Sequence, residues 1–170
     1  IGTSRTTAKG NRLAELGAEP VVLDLLDRAA VLDAVAAAEP DAIVHQATAL
    51  AGALDFRHFD ESFTVTNRLR TEGTDALLAA ARKLGAPRFV AQSFAGWPYA
   101  RIGGPVKTEE DPLDPTPAEE MSETLAAIRH LEEAAVGHGG IALRYGGFYG
   151  SPDDAQIELV RKRKFPIVGN

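Results

Sequence analysis

The sequence predicts an α/β fold, a doubly wound parallel sheet with helices on both faces, and three observations carry that expectation. Strand-like and helix-like patterns alternate along the whole chain. Residues 67–93, NRLRTEGTDALLAAARKLGAPRFVAQS, read as a helix running into a short buried strand that ends on two polar residues. Elsewhere, too, polar residues gather where strands end, and in open α/β sheets that edge is where ligands bind.

Taken in order, residues 1–5 (IGTSR) are the end of a strand, residues 7–16 a helix and residues 19–25 (EPVVLDL) a second strand. Val31, Leu32 and Val35 give residues 28–38 an apolar helical stripe, which Pro40 closes because proline cannot donate to the next turn. Residues 41–48 (DAIVHQAT) form a third strand. In the long helical region that follows, Phe56, Phe59 and Phe63 recur at i, i+3 and i+7. At 3.6 residues per turn the same face continues through Thr74, Leu77 and Ala81 if the helix is unbroken. Residues 87–93 are the fourth strand. Residues 98–117 hold five of the ten prolines and predict an irregular loop, long enough to be functional. A helix at 118–136, a fifth strand at 141–145, a basic-ended helix at 153–164 and the start of another strand at 165–168 complete the series.

Composition narrows the chemistry. At 170 residues, 45% hydrophobic and 25% charged, the chain has the length and core of one globular domain. A net charge of -6 leaves no footprint for nucleic acid, so a small-molecule substrate is expected. The absence of cysteine removes disulfides and thiolate chemistry, which fits a reducing, cytoplasmic setting. No apolar run approaches the ~20 residues of a membrane helix, so no membrane partner is expected. His45, His58, His130 and His138 show no metal-ligand spacing, and no metal is expected.

The polar strand ends are Asp24, then His45, Gln46 and Thr48, then Gln92 and Ser93, then Arg144 and Tyr145. Strands can simply stop where polar loops begin. A shared ligand edge is the preferred reading, because His-Gln-x-Thr and Gln-Ser interrupt runs that could have stayed apolar. Asn67 and Arg70 lie on the phenylalanine face of the long helix. A guanidinium turned toward the sheet is costly unless paired, so Arg70 is either an ion-pair anchor or a group that meets an anionic ligand. Glu132 falls inside the stripe of Met121, Leu125, Ile128 and Ala135, where a structural partner is expected. The basic block at residues 161–164 complements a helix end, and the acids between Glu109 and Asp114 are solvated.

Several of these motifs together resemble one family. GTDALLAAARKLGAPRFVAQS is similar to a helix and strand of extended short-chain dehydrogenases, the NAD(P)-dependent epimerase/dehydratase group, and LRYGGFYG at residues 143–150 resembles that group's sixth-strand motif. DAIVHQAT resembles its fourth strand and VVLDLLD its third. The resemblance implies a Rossmann-type domain over residues 1–164, with residues 165–170 leading toward a substrate lobe. It implies hydride transfer on a hydroxyl or carbonyl, with a nucleotide sugar among the substrate candidates, and a homodimer formed through the long helix and the helix at 118–136.

Carried over residue by residue, Asp24 and Leu25 border the adenine, and Ala47, Thr48 and Ala49 run beside the ribose and phosphates. Gln92 and Tyr145, at strand ends, complete the cofactor side. Ser93 is the substrate-polarising hydroxyl. Arg5 is a candidate for the adenosine 2′-phosphate, since no acid precedes Glu15, and this favours NADP over NAD; an exposed arginine opening a helix is the other reading. The resemblance implies a working Tyr and Lys, four residues apart, that have no counterpart: aligning Glu132 with the family's helix glutamate puts Thr124 and Ile128 in their places, and moving one residue puts Leu125 and Arg129 there. Tyr99 or Tyr149 could supply a phenol, and Arg70 replaces the family's Asn. The first strand and its glycine-rich phosphate loop would precede Ile1, so the sheet as given lacks its central strand. A non-catalytic NADP(H)-binding sensor of the same fold is the alternative function.

Overall fold

The computed structural model describes residues 1–50, 58–85, 88–146 and 155–163. β1 (Gly2–Ser4) and β2 (Pro20–Val22) pair in parallel, with Thr3 opposite Val21. β3 (Ala42–His45), β4 (Arg88–Phe94) and β5 (Ile141–Tyr145) form a second parallel sheet in that order, with Val44 opposite Val90 and Ala91 opposite Ala142. Among the described residues no ladder joins β1 to β3. A cavity of about 330 Å3 lies there instead, lined by Gly2 and Thr3, by Ile43 and His45, and by Leu25 and Leu77. The sheet therefore divides at the place of the expected missing central strand.

The helices follow the sequence signals closely. Thr6 caps α1 (Thr7–Glu15), which covers β1 and β2. The Asp27 carboxylate accepts the amides of Ala29 and Ala30 at 3.1 and 3.0 Å and so starts α2 (Arg28–Ala38). Val31 and Val35 of α2 are buried, and α2 packs against α4 (Thr74–Leu84). Glu39 takes a left-handed conformation, φ 41°, and ends the helix before Pro40. α5 (Ser122–Gly137) follows a single 3-10 turn at Glu119–Met121 and lies over β4 and β5. Its Leu125, Ile128 and Leu131 are almost wholly buried, worth about 2 kcal/mol each by apolar area. α6 (Ala155–Arg161) is short, and its Arg161 bonds Glu158 at 3.1 Å.

The long helix departs from the unbroken reading. α3 (Phe59–Arg68) and α4 are joined by a π-turn, Leu69–Gly73, in which the Thr74 amide reaches the carbonyl of Leu69, five residues back. That carbonyl also faces His45 Nε2 at 3.2 Å, so a side chain from β3 enters the helical ladder where it widens. The loop at 98–117 is irregular apart from one antiparallel bridge between Tyr99 and Leu113. Phe56, Pro87, Tyr149, Lys164 and the strand expected at 165–168 lie outside the described residues.

Candidate functional site

Alternation along β4 places Phe89, Ala91 and Ser93 on its buried face, under α5. Ser93 Oγ donates to Glu132 Oε1 at 2.5 Å. Glu132 also accepts from Arg144 Nε at 2.9 Å and from Arg144 Nη2 at 2.8 Å, a bidentate pair whose side chains are 12% and 19% exposed. The acid on the apolar stripe of α5 thus has the structural partner its position called for. The hydrogen bonds that Arg144 donates to Glu132, foremost, hold its guanidinium above its ordinary range, with Tyr99 adding to the effect. The Tyr99 ring lies 5.0 Å from Arg144 Cζ. Ser93 and Tyr99 are therefore joined through one ion pair.

Thr124, with no exposed surface, donates its hydroxyl proton to Asp60 Oδ1 at 2.5 Å and accepts from Asn67 Nδ2 at 3.0 Å. The amides of Glu123 and Thr124 both donate to the Asp60 carboxylate at 2.9 Å. Ile128 is 1% exposed, in the apolar layer between α5 and its neighbours. Thr124 thus takes part in capping α5, and Ile128 in its packing.

Arg70 belongs to a different neighbourhood. His45, 2% exposed, directs Nε2 to the Leu69 carbonyl and takes the Ala47 amide on Nδ1 at 3.4 Å, which fixes the neutral tautomer with its proton on Nε2. Burial lowers the His45 pKa below 6.5, against the Leu69 bond and with the help of the Arg70 charge. The Arg70 guanidinium sits 5.6 Å from the Phe63 ring centre, and its buried Nη1 meets no acceptor among the described residues. Burial pulls its pKa to about 10. Asn67 Oδ1 and Thr74 Oγ1 are also buried without a partner among the described residues. Phe63 stacks on Phe59 at 4.6 Å, and Phe59 meets Trp97 edge-on at 5.3 Å.

The remaining expected residues occupy the strand ends. Arg5 is exposed just after β1, and Asp24 is exposed after β2 with Oδ1 accepting the Leu26 amide at 3.0 Å. Leu25 is 9% exposed and packs in the core. Leu25 and Ala47 both line the cavity between the sheets. Thr48 and Ala49 meet Thr66 of α3, the Ala49 amide donating to Thr66 Oγ1 at 3.1 Å. Gln92 and Tyr145 are half-buried, and the Tyr145 carbonyl accepts the Ala95 amide at 2.8 Å. Asp60 and Thr66 carry no sequence signal, since their partners lie far along the chain.

The model of the NAD dependent epimerase/dehydratase family matches residues 1–163. The chain belongs to the NAD-dependent epimerase/dehydratase family. It is 47% identical over 135 residues to the 3-diazoavenalumate denitrifying reductase of a Streptomyces species, covering 76% of this chain and 43% of that protein. Among solved structures it is similar to the UDP-Glc/GlcNAc 4-epimerase of Campylobacter jejuni, TM-score 0.61 at 21% identity, covering 82% of this chain and 41% of that one. The UDP-glucose 4-epimerase of Thermus thermophilus, in complex with NAD, gives a TM-score of 0.55 at 24% identity over 81% of this chain and 44% of that one. The chain thus spans less than half the length of these relatives. At such identities the two epimerases show the fold alone.

Proposed function

We propose that the protein is an NAD(P)-dependent oxidoreductase that transfers hydride to an electron-poor centre of a small organic substrate. The observation that carries this reading is the 47% identity to a reductase, set beside a helix α5 in which no tyrosine is followed four residues later by a lysine. Reduction of a carbonyl or diazo acceptor therefore takes precedence over turnover of a nucleotide sugar. Arg5, Asp24, Leu25, Ala47, Thr48, Ala49, Gln92 and Tyr145 are the residues that would hold the cofactor. Their fit rests on exposed charges after β1 and β2, on two alanines small enough for close backbone approach, and on a cavity that Leu25 and Ala47 share. The bound cofactor supplies the hydride. Exposed Arg5 suits a 2′-phosphate, so NADP is the proposed form.

With its proton directed to Glu132, Ser93 Oγ keeps lone pairs for a donor group of the substrate and orients it. Tyr99, held against Arg144, is the phenol available for proton transfer. A second reading, an NADP(H)-binding sensor without turnover, is favoured by the wholly structural roles of Thr124 and Ile128. Loss of NADPH absorbance by the full-length protein, followed over a panel of carbonyl and aryl diazo compounds, separates the two. Turnover that falls at least about tenfold in Ser93→Ala supports the enzyme; tight NADPH binding without turnover on any compound supports the sensor.

A further inference from the structure

Arg70 stands out among the described arginines because it is drawn out of solvent and yet lacks a partner, whereas the others without a partner among the described residues are exposed. Arg68 takes Glu72 at 2.7 Å, Arg144 takes Glu132, Arg161 takes Glu158, and Arg129 bonds the Asp114 carbonyl. Arg70, half-buried on the π-turn, has only the face of Phe63, and its shielded Nη1 finds no acceptor among the described residues. Among the described residues no acid from a packed element answers it. Glu72 already serves Arg68, and His45 from β3 is neutral, with its proton turned to Leu69. One turn earlier, Asn67 Oδ1 is likewise buried and unfilled; its orientation is fixed, because Thr124 gives its proton to Asp60 and must accept from Asn67 Nδ2. A cationic donor and a neutral acceptor therefore stand vacant on one face of one helix, at a place the sheet reaches through His45.

An uncompensated buried guanidinium is expensive, and an oxyanion that can accept two parallel hydrogen bonds is the group its fork matches best. We propose that Arg70 is the recognition site for an oxyanion, carboxylate or phosphate, on a ligand bound at the carboxyl edge of the sheet, with Asn67 Oδ1 taking a donor group of that ligand. The favoured bearer is the substrate, which makes it an anionic molecule. This deepens the oxidoreductase reading and rests on it for the identity of the ligand.

The test is isothermal titration and thermal melting of the full-length protein with benzoate, benzyl alcohol, inorganic phosphate and NADP, benzoate being titrated with NADP present. Benzoate should bind and raise the melting midpoint where benzyl alcohol does not. Arg70→Met should weaken benzoate by about tenfold or more while leaving NADP affinity within about threefold, and Arg70→Lys should keep part of the benzoate response. If Arg70→Met instead weakens NADP or phosphate tenfold and spares benzoate, the oxyanion belongs to the cofactor and the anionic-substrate assignment falls. Benzoate, phosphate and NADP binding all equal in wild type and variant overturn the site, as does a wild type that answers neither benzoate nor phosphate while Arg70→Met leaves NADP unchanged. Should Arg70→Met not fold, the same comparison with Arg70→Lys and Arg70→Gln decides. These readouts involve no turnover, so they separate this proposal from the hydride-transfer reading.

Discussion

His45 is kept neutral chiefly by burial, helped by the Arg70 charge and opposed by the Leu69 hydrogen bond. Its tautomer is set by one ring nitrogen donating to Leu69 and the other accepting from Ala47. A proton added to Nδ1 would meet the Ala47 amide head-on. In the unfolded chain the imidazole titrates near 6.5, and in the folded protein at lower pH. Between those values the unfolded state binds more protons, so the contribution is complete above pH 6.5 and stability falls as the pH drops toward the folded pKa. His45→Gln keeps an amide donor for Leu69 and removes the titration. Urea unfolding from pH 7.5 to 5 should show a shallower acid decline in this variant, and an identical decline would assign the effect to other groups. Ser93 shows the same logic in reverse. Its hydroxyl is committed by a carboxylate that is itself held by Arg144.

At the scale of elements, α5 begins without a side-chain cap of its own, since Met121 offers none. Asp60 of α3 takes that role from across the interface, satisfying two orphan amides and the Thr124 hydroxyl. Asp60→Ala should lower stability by about 1–2 kcal/mol in chemical denaturation, while Glu61→Ala one residue on should change little. Equal effects would mean that the tether is not specific. α2 was legible because its signals are local: Asp27 at the cap, Val31 and Val35 one turn apart, and Pro40 beyond the end. The π-turn was not, because residues 69–73 read as an ordinary helix until His45, 24 residues away, contacts Leu69. The site divides the same way. Ser93 and Glu132 were visible as polar breaks in apolar patterns, and their bond to each other was not, since periodicity says which face a residue occupies and nothing about its partner there.

Over the whole molecule, the seam between β1 and β3 sets how stability is distributed. β1 and β2 are three residues each and among the described residues pair only with each other, whereas β4 is paired on both sides and covered by α5. A two-stranded sheet is marginal by itself. In hydrogen exchange on residues 1–170, amides of β1 and β2 should exchange well before those of β4, and equal protection would show that the halves open together. The expected cofactor contacts fall on both banks of this seam, Arg5 and Asp24 on one and Ala47 to Ala49 on the other. A ligand that touches both banks is also a tie between them. By mass action, its affinity and the cohesion of the two sheets are then one quantity measured from two directions, and anything that loosens the seam lowers the affinity of a site whose own residues have not changed.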